Sequence, residues 1–176
     1  DRHLGAFGFP APYGHESAGK GRGNISFNMD IVGGSVGSLC EAYRQVVSDS
    51  AVGTWVNMLF DHETDAVRVQ SPYSGDGLRV EVRKSGPLFL RIPPWVDPEV
   101  VLVEGVAGRP VRTGDYLYFS EVVSGQTLQV RYPLADAEIT LSPDVHLHPI
   151  RVKMRGDEVV AMENFGADLT FFDPLD

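Results

Sequence analysis

The sequence predicts a mainly β protein, an antiparallel β-sandwich of jelly-roll type preceded by a short loop-and-helix segment. Three observations carry that reading. Beyond residue 51 apolar residues recur with a period of two, which places them on one face of a strand. Turn-forming clusters such as "YSGDG", "KSGP", "RTGD", "VSGQ" and "MRGD" interrupt these runs at short, fairly regular intervals. Only one stretch, between residues 35 and 47, carries the three-and-four spacing of an amphipathic helix.

Taken in order, residues 1–34 are rich in glycine and lack a sustained period, and they are predicted to form a long loop. From Ser35, the apolar positions Val36, Leu39, Cys40, Tyr43, Val46 and Val47 fall on one helical face. Ser38 and Glu41 have capping-box spacing, and the glycines from Gly33 onward allow a start one turn earlier. "SDSAVG" then supplies turn formers that end the helix. The strands follow: "WVNMLF", "AVRVQ", "GLRVEVRK", "PLFLRIP", "VVLVEG", "DYLYFS", "TLQVRYPL", "AEITLS", "PIRVKMRG" and "EVVAME". Within them Leu78, Val80 and Val82 share one face, and Leu88, Leu90 and Ile92 share another. No helical pattern of 10–15 residues separates the strands, so a parallel α/β architecture is excluded for this part. The division expected is 1–48 for the loop and helix and 51–176 for the sandwich.

Composition narrows the function classes. The 176 residues carry a net charge of −9, which argues against a general nucleic-acid binder, because such a protein needs a basic face to displace counterions. No apolar run reaches the length needed to span a bilayer, so no membrane partner is expected. The single cysteine excludes an internal disulfide framework and a zinc site built from several thiolates. The compartment stays open on this evidence, leaning to the cytoplasm.

Chemistry-bearing residues cluster in few places. His15 and Glu16 can both transfer protons and lie in a glycine-rich loop of the kind that lines active sites, or they are simply solvated. His146 and His148 would share a face if their segment were a strand, against the alternative of a solvated loop. Asp61, His62, Glu63 and Asp65 read as the polar turn of a hairpin, with calcium binding as the sharper alternative. Cys40, on the apolar stripe, reads as a small buried hydrophobe. The glycine runs lack the strand and Lys-Ser/Thr ending of a nucleotide loop. Aromatic residues follow the strand period and are expected in the core. Trp95, after two prolines in "RIPPW", is the best exposed candidate for stacking on a sugar.

The order of these segments adds a family resemblance. A glycine-rich loop leads into "SLCEAYRQVV", then "GTWVNMLFDHE", "AVRVQSPY", "GLRVEVRKSGPLFLRIPPWV", "GDYLYF", "LQVRYPL" and "IRVKMRGDEVVAMENFG". From about residue 24 onward this succession resembles the C-terminal portion of the β-L-arabinofuranosidase-like family of glycoside hydrolases. There a helix beginning "GxRxLYEAW" closes an (α/α)6 barrel, and a β-sandwich with "LRIPxW" and "RGNxVV" segments follows.

The resemblance implies hydrolysis of arabinofuranosides by a cysteine nucleophile at a zinc-thiolate site, with a glutamate as acid/base. This sequence departs from that pattern. Aligning "EAY" with "EAW" puts Asp30 and Ile31 where the family's two cysteines stand, and the upstream Glu and Cys ligands are absent. No cofactor is therefore expected in this chain, although zinc serves the family. Asp30 is the substitute candidate, as carboxylate nucleophile or acid/base with Glu16 as its pair and His15 beside it. Its bland alternative is a loop carboxylate that caps a backbone amide. Asn28 and Trp95 are the candidate substrate contacts.

Two functional classes remain on the sequence. In one, the chain is the accessory sandwich of a glycoside hydrolase and inactive alone. In the other, it is a non-catalytic carbohydrate-binding or protein-interaction module. The partners expected are carbohydrate and either a helical-barrel domain or a second copy of the chain. Without barrel helices, the stripe through Val36, Leu39 and Tyr43 should dock on the sandwich or form an exposed patch that favours association.

Overall fold

The computed structural model describes residues 28–141, 149–163 and 173–175. The architecture is mainly β, with one α-helix and three sheets among the described residues. Helix α1 runs Asn28–Arg44, so it starts well before the expected Ser35 and takes in part of the predicted loop. Gly33, Gly34 and Gly37 each cost about 1 kcal/mol relative to alanine in a helix interior, which is why the pattern reads as loop.

The helix also ends earlier than its apolar spacing implies. Gln45 N–H is shared between the carbonyls of Glu41 (3.2 Å) and Ala42 (3.0 Å), and Val46 N–H bonds back to Tyr43 O at 3.2 Å. This tight last turn aims Val46 and Val47 into the core instead of along the helix face. Strand β1 (Val47–Ser50) follows directly, and a two-residue turn at 51–52 returns the chain into β2 (Gly53–Val56). The expected strand "WVNMLF" therefore stops at Val56. Asn57 leaves the ladder, with its N–H on Val46 O (2.8 Å) and its side-chain amide on Gln45 O (2.9 Å).

Two five-stranded sheets then form. The remaining strands are β3 (His62–Glu63), β4 (Val67–Gln70), β5 (Leu78–Val82), β6 (Gly86–Arg91), β7 (Leu102–Glu104), β8 (Val111–Thr113), β9 (Tyr116–Val122) and β10 (Thr127–Arg131). The first sheet has the order β1-β2-β6-β9-β8 and the second β3-β4-β5-β10-β7. All pairings in them are antiparallel except β2 with β6, which is parallel. At the start of that parallel pair the backbones approach closely. Gly53 has φ +141°, and a Cβ there would lie 2.6 Å from Pro87 O. Glycine is the residue that fits.

The inward faces of both sheets form one hydrophobic cluster, with Leu88, Leu90 and Phe119 from the first sheet meeting Leu78, Val80, Leu128 and Val130 from the second. The alternation in "LRVEV" and "PLFLRI" was legible for this reason: each buried residue is followed by one that is not.

The third sheet contains β11 (Asp136–Leu141), β12 (Ile150–Arg155), β13 (Glu158–Met162) and β14 (Asp173–Pro174), in that order. β11 is exposed along its whole length, whereas Ile150 and Val152 of β12 and Ala161 of β13 are buried. The chain divides into two compact units. One is Cys40–Pro133, which holds the first two sheets, and the other joins Asp1–Leu39 to Leu134–Asp176. Among the described residues, no helix is long and apolar enough to cross a membrane.

Candidate functional site

Within the unit Cys40–Pro133, a groove of about 650 Å³ lies along the outward face of β3, β4 and β5, closed at one side by Tyr43 from the last turn of α1. Its floor follows from register. Glu63 of β3 stands opposite Arg68 of β4, and Arg68 stands opposite Glu81 of β5. Gln70 pairs with Arg79 in the same way. Because side chains alternate across a strand, these residues all project from the face turned away from the core. The result is a ladder of opposite charges: Arg68–Glu63 at 3.7 Å, Arg68–Glu81 at 3.8 Å and Arg79–Glu81 at 3.3 Å.

The two carboxylates at the upper edge are held more firmly. Asp61 Oδ1 accepts the backbone N–H of Ser71 at 2.6 Å and the hydroxyl of Ser74 at 2.7 Å, so it clamps the turn that follows β4. Those hydrogen bonds, the Ser71 amide first, hold its carboxyl below the usual aspartate range. Glu63 receives Arg83 Nη2 at 2.6 Å, and that hydrogen bond, followed by the guanidinium charge, lowers its carboxyl as well. A general acid for glycoside cleavage needs the opposite displacement, upward toward neutral pH. Neither Asp61 nor Glu63 is set up as an acid. The charges of this face are paired with one another, and the Tyr43 ring is turned to His62.

His62 sits between this face and the core. It is half-buried opposite Val69, and the Tyr43 ring meets it edge-on with centroids 4.8 Å apart and planes at 83°. Its Nδ1 is buried and accepts or donates no hydrogen bond. Among the described residues, no group of three His, Cys, Asp or Glu side chains converges as a metal site.

The residues singled out from sequence are placed as follows. His15, Glu16, His146 and His148 lie outside the described residues. Asn28 and Asp30 fall in the first turn of α1, not in a loop. Trp95 lies in the turn after β6, half-buried against the core, with its ring 6.0 Å from Tyr132 in an edge-to-face arrangement. Cys40 is exposed, which corrects the expectation of a buried hydrophobe. The reason is the position of its helix face: Val36 (36%), Leu39 (51%) and Tyr43 (57%) on the same stripe are also open to solvent.

Sequence reasoning read Asp61, His62, Glu63 and Asp65 as the polar turn of a hairpin, with calcium binding as the alternative, and did not anticipate the groove. The alternating charges of "VRVQ" and "LRVEV" marked an outward face, but which charge meets which depends on strand register.

No family model matches this chain, and no curated protein matches it. Among solved structures the chain is similar to a GH127 beta-L-arabinofuranosidase from Geobacillus stearothermophilus T6, at 21% sequence identity and a TM-score of 0.45. The match covers 66% of this chain and 21% of that one, so the chain spans about a fifth of that protein's length.

Proposed function

We propose that this chain is the sandwich-bearing part of a glycoside-hydrolase-type protein, structural in role and inactive alone, with catalysis residing in a helical domain that α1 packs against. The observation that carries the reading is the open apolar stripe of α1. Val36, Leu39 and Tyr43 are spaced to bury one helix face, yet all three are exposed on a helix that leads straight into a well-packed sandwich. An amphipathic helix gains most of its stability by burying that face. A contact surface for neighbouring helices accounts for both the pattern and its exposure. The order of motifs from "SLCEAYRQVV" to "MRGDEVVAMENFG" supports the enzyme class. In this reading Asp30 and Asn28 sit on the helix that faces the catalytic domain, and the substrate is an arabinofuranoside or a related plant glycan.

The test compares this chain with a form extended into the upstream coding sequence, both assayed on aryl arabinofuranosides with and without zinc. The expected result is turnover only in the extended form. Turnover by the chain alone, abolished by Asp30→Asn and unaffected by a chelator, would overturn the accessory role in favour of a carboxylate mechanism.

A further inference from the structure

A second cavity, on the opposite side of the sandwich from β3, has different chemistry. After β7 the chain leaves the second sheet, and through residues 105–110 it enters β8 of the first sheet. β7 and β8 are both edge strands, so the sandwich is open between them, and a cleft of about 550 Å³ enters there. That size falls in the range of sites for small organic ligands. Its floor is formed by the buried core side chains Ile92 and Leu117, and Val101 and Val103 form part of its wall. At the mouth stand Arg109, Arg112 and Glu99.

The two arginines differ from those on the outward face of the second sheet. On the charged face of the second sheet each guanidinium has a carboxylate partner: Arg68 and Arg79 with Glu81, Arg83 with Glu63, Arg131 with Glu104. Among the described residues Arg109 and Arg112 form no ion pair. Arg112 spends only its Nε, on the carbonyl of Gly114 at 3.2 Å, which leaves its terminal nitrogens uncommitted. Two unpaired guanidiniums against one carboxylate make the mouth locally positive in a chain whose net charge is −9. Guanidinium is the group best shaped to grip a carboxylate through paired N–H donors.

We propose that this cleft binds a small amphipathic carboxylate. Its apolar body lies against Ile92, Val101, Val103 and Leu117, and its carboxylate is held by Arg109 and Arg112. This site is independent of the role assigned to α1.

The experiment titrates the protein calorimetrically with decanoate and with decanol, in the original chain and in the double variant Arg109→Ala/Arg112→Ala. Both arginines are exposed, so the variant leaves the core intact, and circular dichroism checks this. Decanoate is expected to bind at one site per chain, and loss of the two guanidiniums is expected to weaken it about tenfold while leaving decanol unchanged. Amide chemical-shift changes on adding decanoate should centre on Val101, Val103 and Leu117. A third variant, Val103→Trp, fills the cleft and should weaken both ligands. Absence of saturable decanoate binding overturns the proposal. So does equal affinity in the original chain and the double variant, or a shift pattern centred on the exposed stripe of α1.

Discussion

The two sheets of the sandwich share one core but turn different chemistry outward. Across the second sheet the outward residues are charged and alternate in sign from Glu63 through Arg68 to Glu81, with Arg131 and Glu104 paired at 2.9 Å near the far edge. Across the first sheet the outward row is aromatic: register places Trp55 beside Phe89 and Phe89 beside Tyr118 on three neighbouring strands. Trp55 and Phe89 stack with centroids 3.7 Å apart and planes within 3°, and Tyr116 meets Trp55 edge-on at 5.1 Å. One face of Trp55 and one of Phe89 are therefore turned to each other. A row of this kind stiffens its sheet. The charged face is satisfied from within. The surfaces left uncommitted lie elsewhere, on the α1 stripe and at the mouth between β7 and β8.

The comparison can be broken most forcefully at the core both sheets share. Leu90→Ala in the first sheet and Leu128→Ala in the second each remove a side chain with 0% exposure, and each should cost about 2–5 kcal/mol. Urea denaturation should give a single transition shifted by a similar amount in both. Two separate transitions, one per variant, would mean that the sheets do not share a core.

A double-mutant cycle on Trp55→Ala and Phe89→Ala sharpens the contrast between the outward faces. Their stacking should appear as a coupling of about 1 kcal/mol. The same cycle on Arg68→Ala and Glu81→Ala, an exposed pair at 3.8 Å, should give roughly 0.5 kcal/mol or less and should vanish in high salt.

The smallest effect is a dependence on pH. Asp61 is held below its ordinary pKa in the fold, so the unfolded chain binds a proton more readily than the native one. The stability it contributes is fully present above the ordinary aspartate pKa and is lost as pH falls through the lower folded value. Asp61→Asn should flatten the denaturation midpoint across that acidic window, lowering it slightly at neutral pH and leaving it unchanged at the acid end, where the native carboxyl is already protonated. An unchanged acid profile would show that the clamp on Ser71 and Ser74 is not formed in solution.

Much of the fold was legible because half-buried strands alternate. Leu78, Val80 and Val82 face the core as their spacing dictates, and so do Leu88, Leu90 and Ile92. Helix α1 was misplaced at both ends for two different reasons. Three glycines disguised its first turns, and Val46 and Val47, which continue its spacing, are core anchors of the turn and strand that follow. β1 was hidden because "VSDS" is polar and the turn at 51–52 contains neither glycine nor proline. The groove was less legible than the strands beneath it. The Asp61 clamp spans ten residues to Ser71, and the Tyr43–His62 contact joins a helix end to an edge strand. Neither leaves a periodic trace in the sequence.

The central claim is that α1 presents a contact surface for a helical neighbour, and hydrogen–deuterium exchange across residues 28–44 tests it most directly. The amides of Val36, Leu39 and Tyr43 should exchange quickly in this chain and slow by orders of magnitude in the form extended upstream. Equal, strong protection in both forms would show that the helix is already stabilised within these 176 residues, and would contradict the claim.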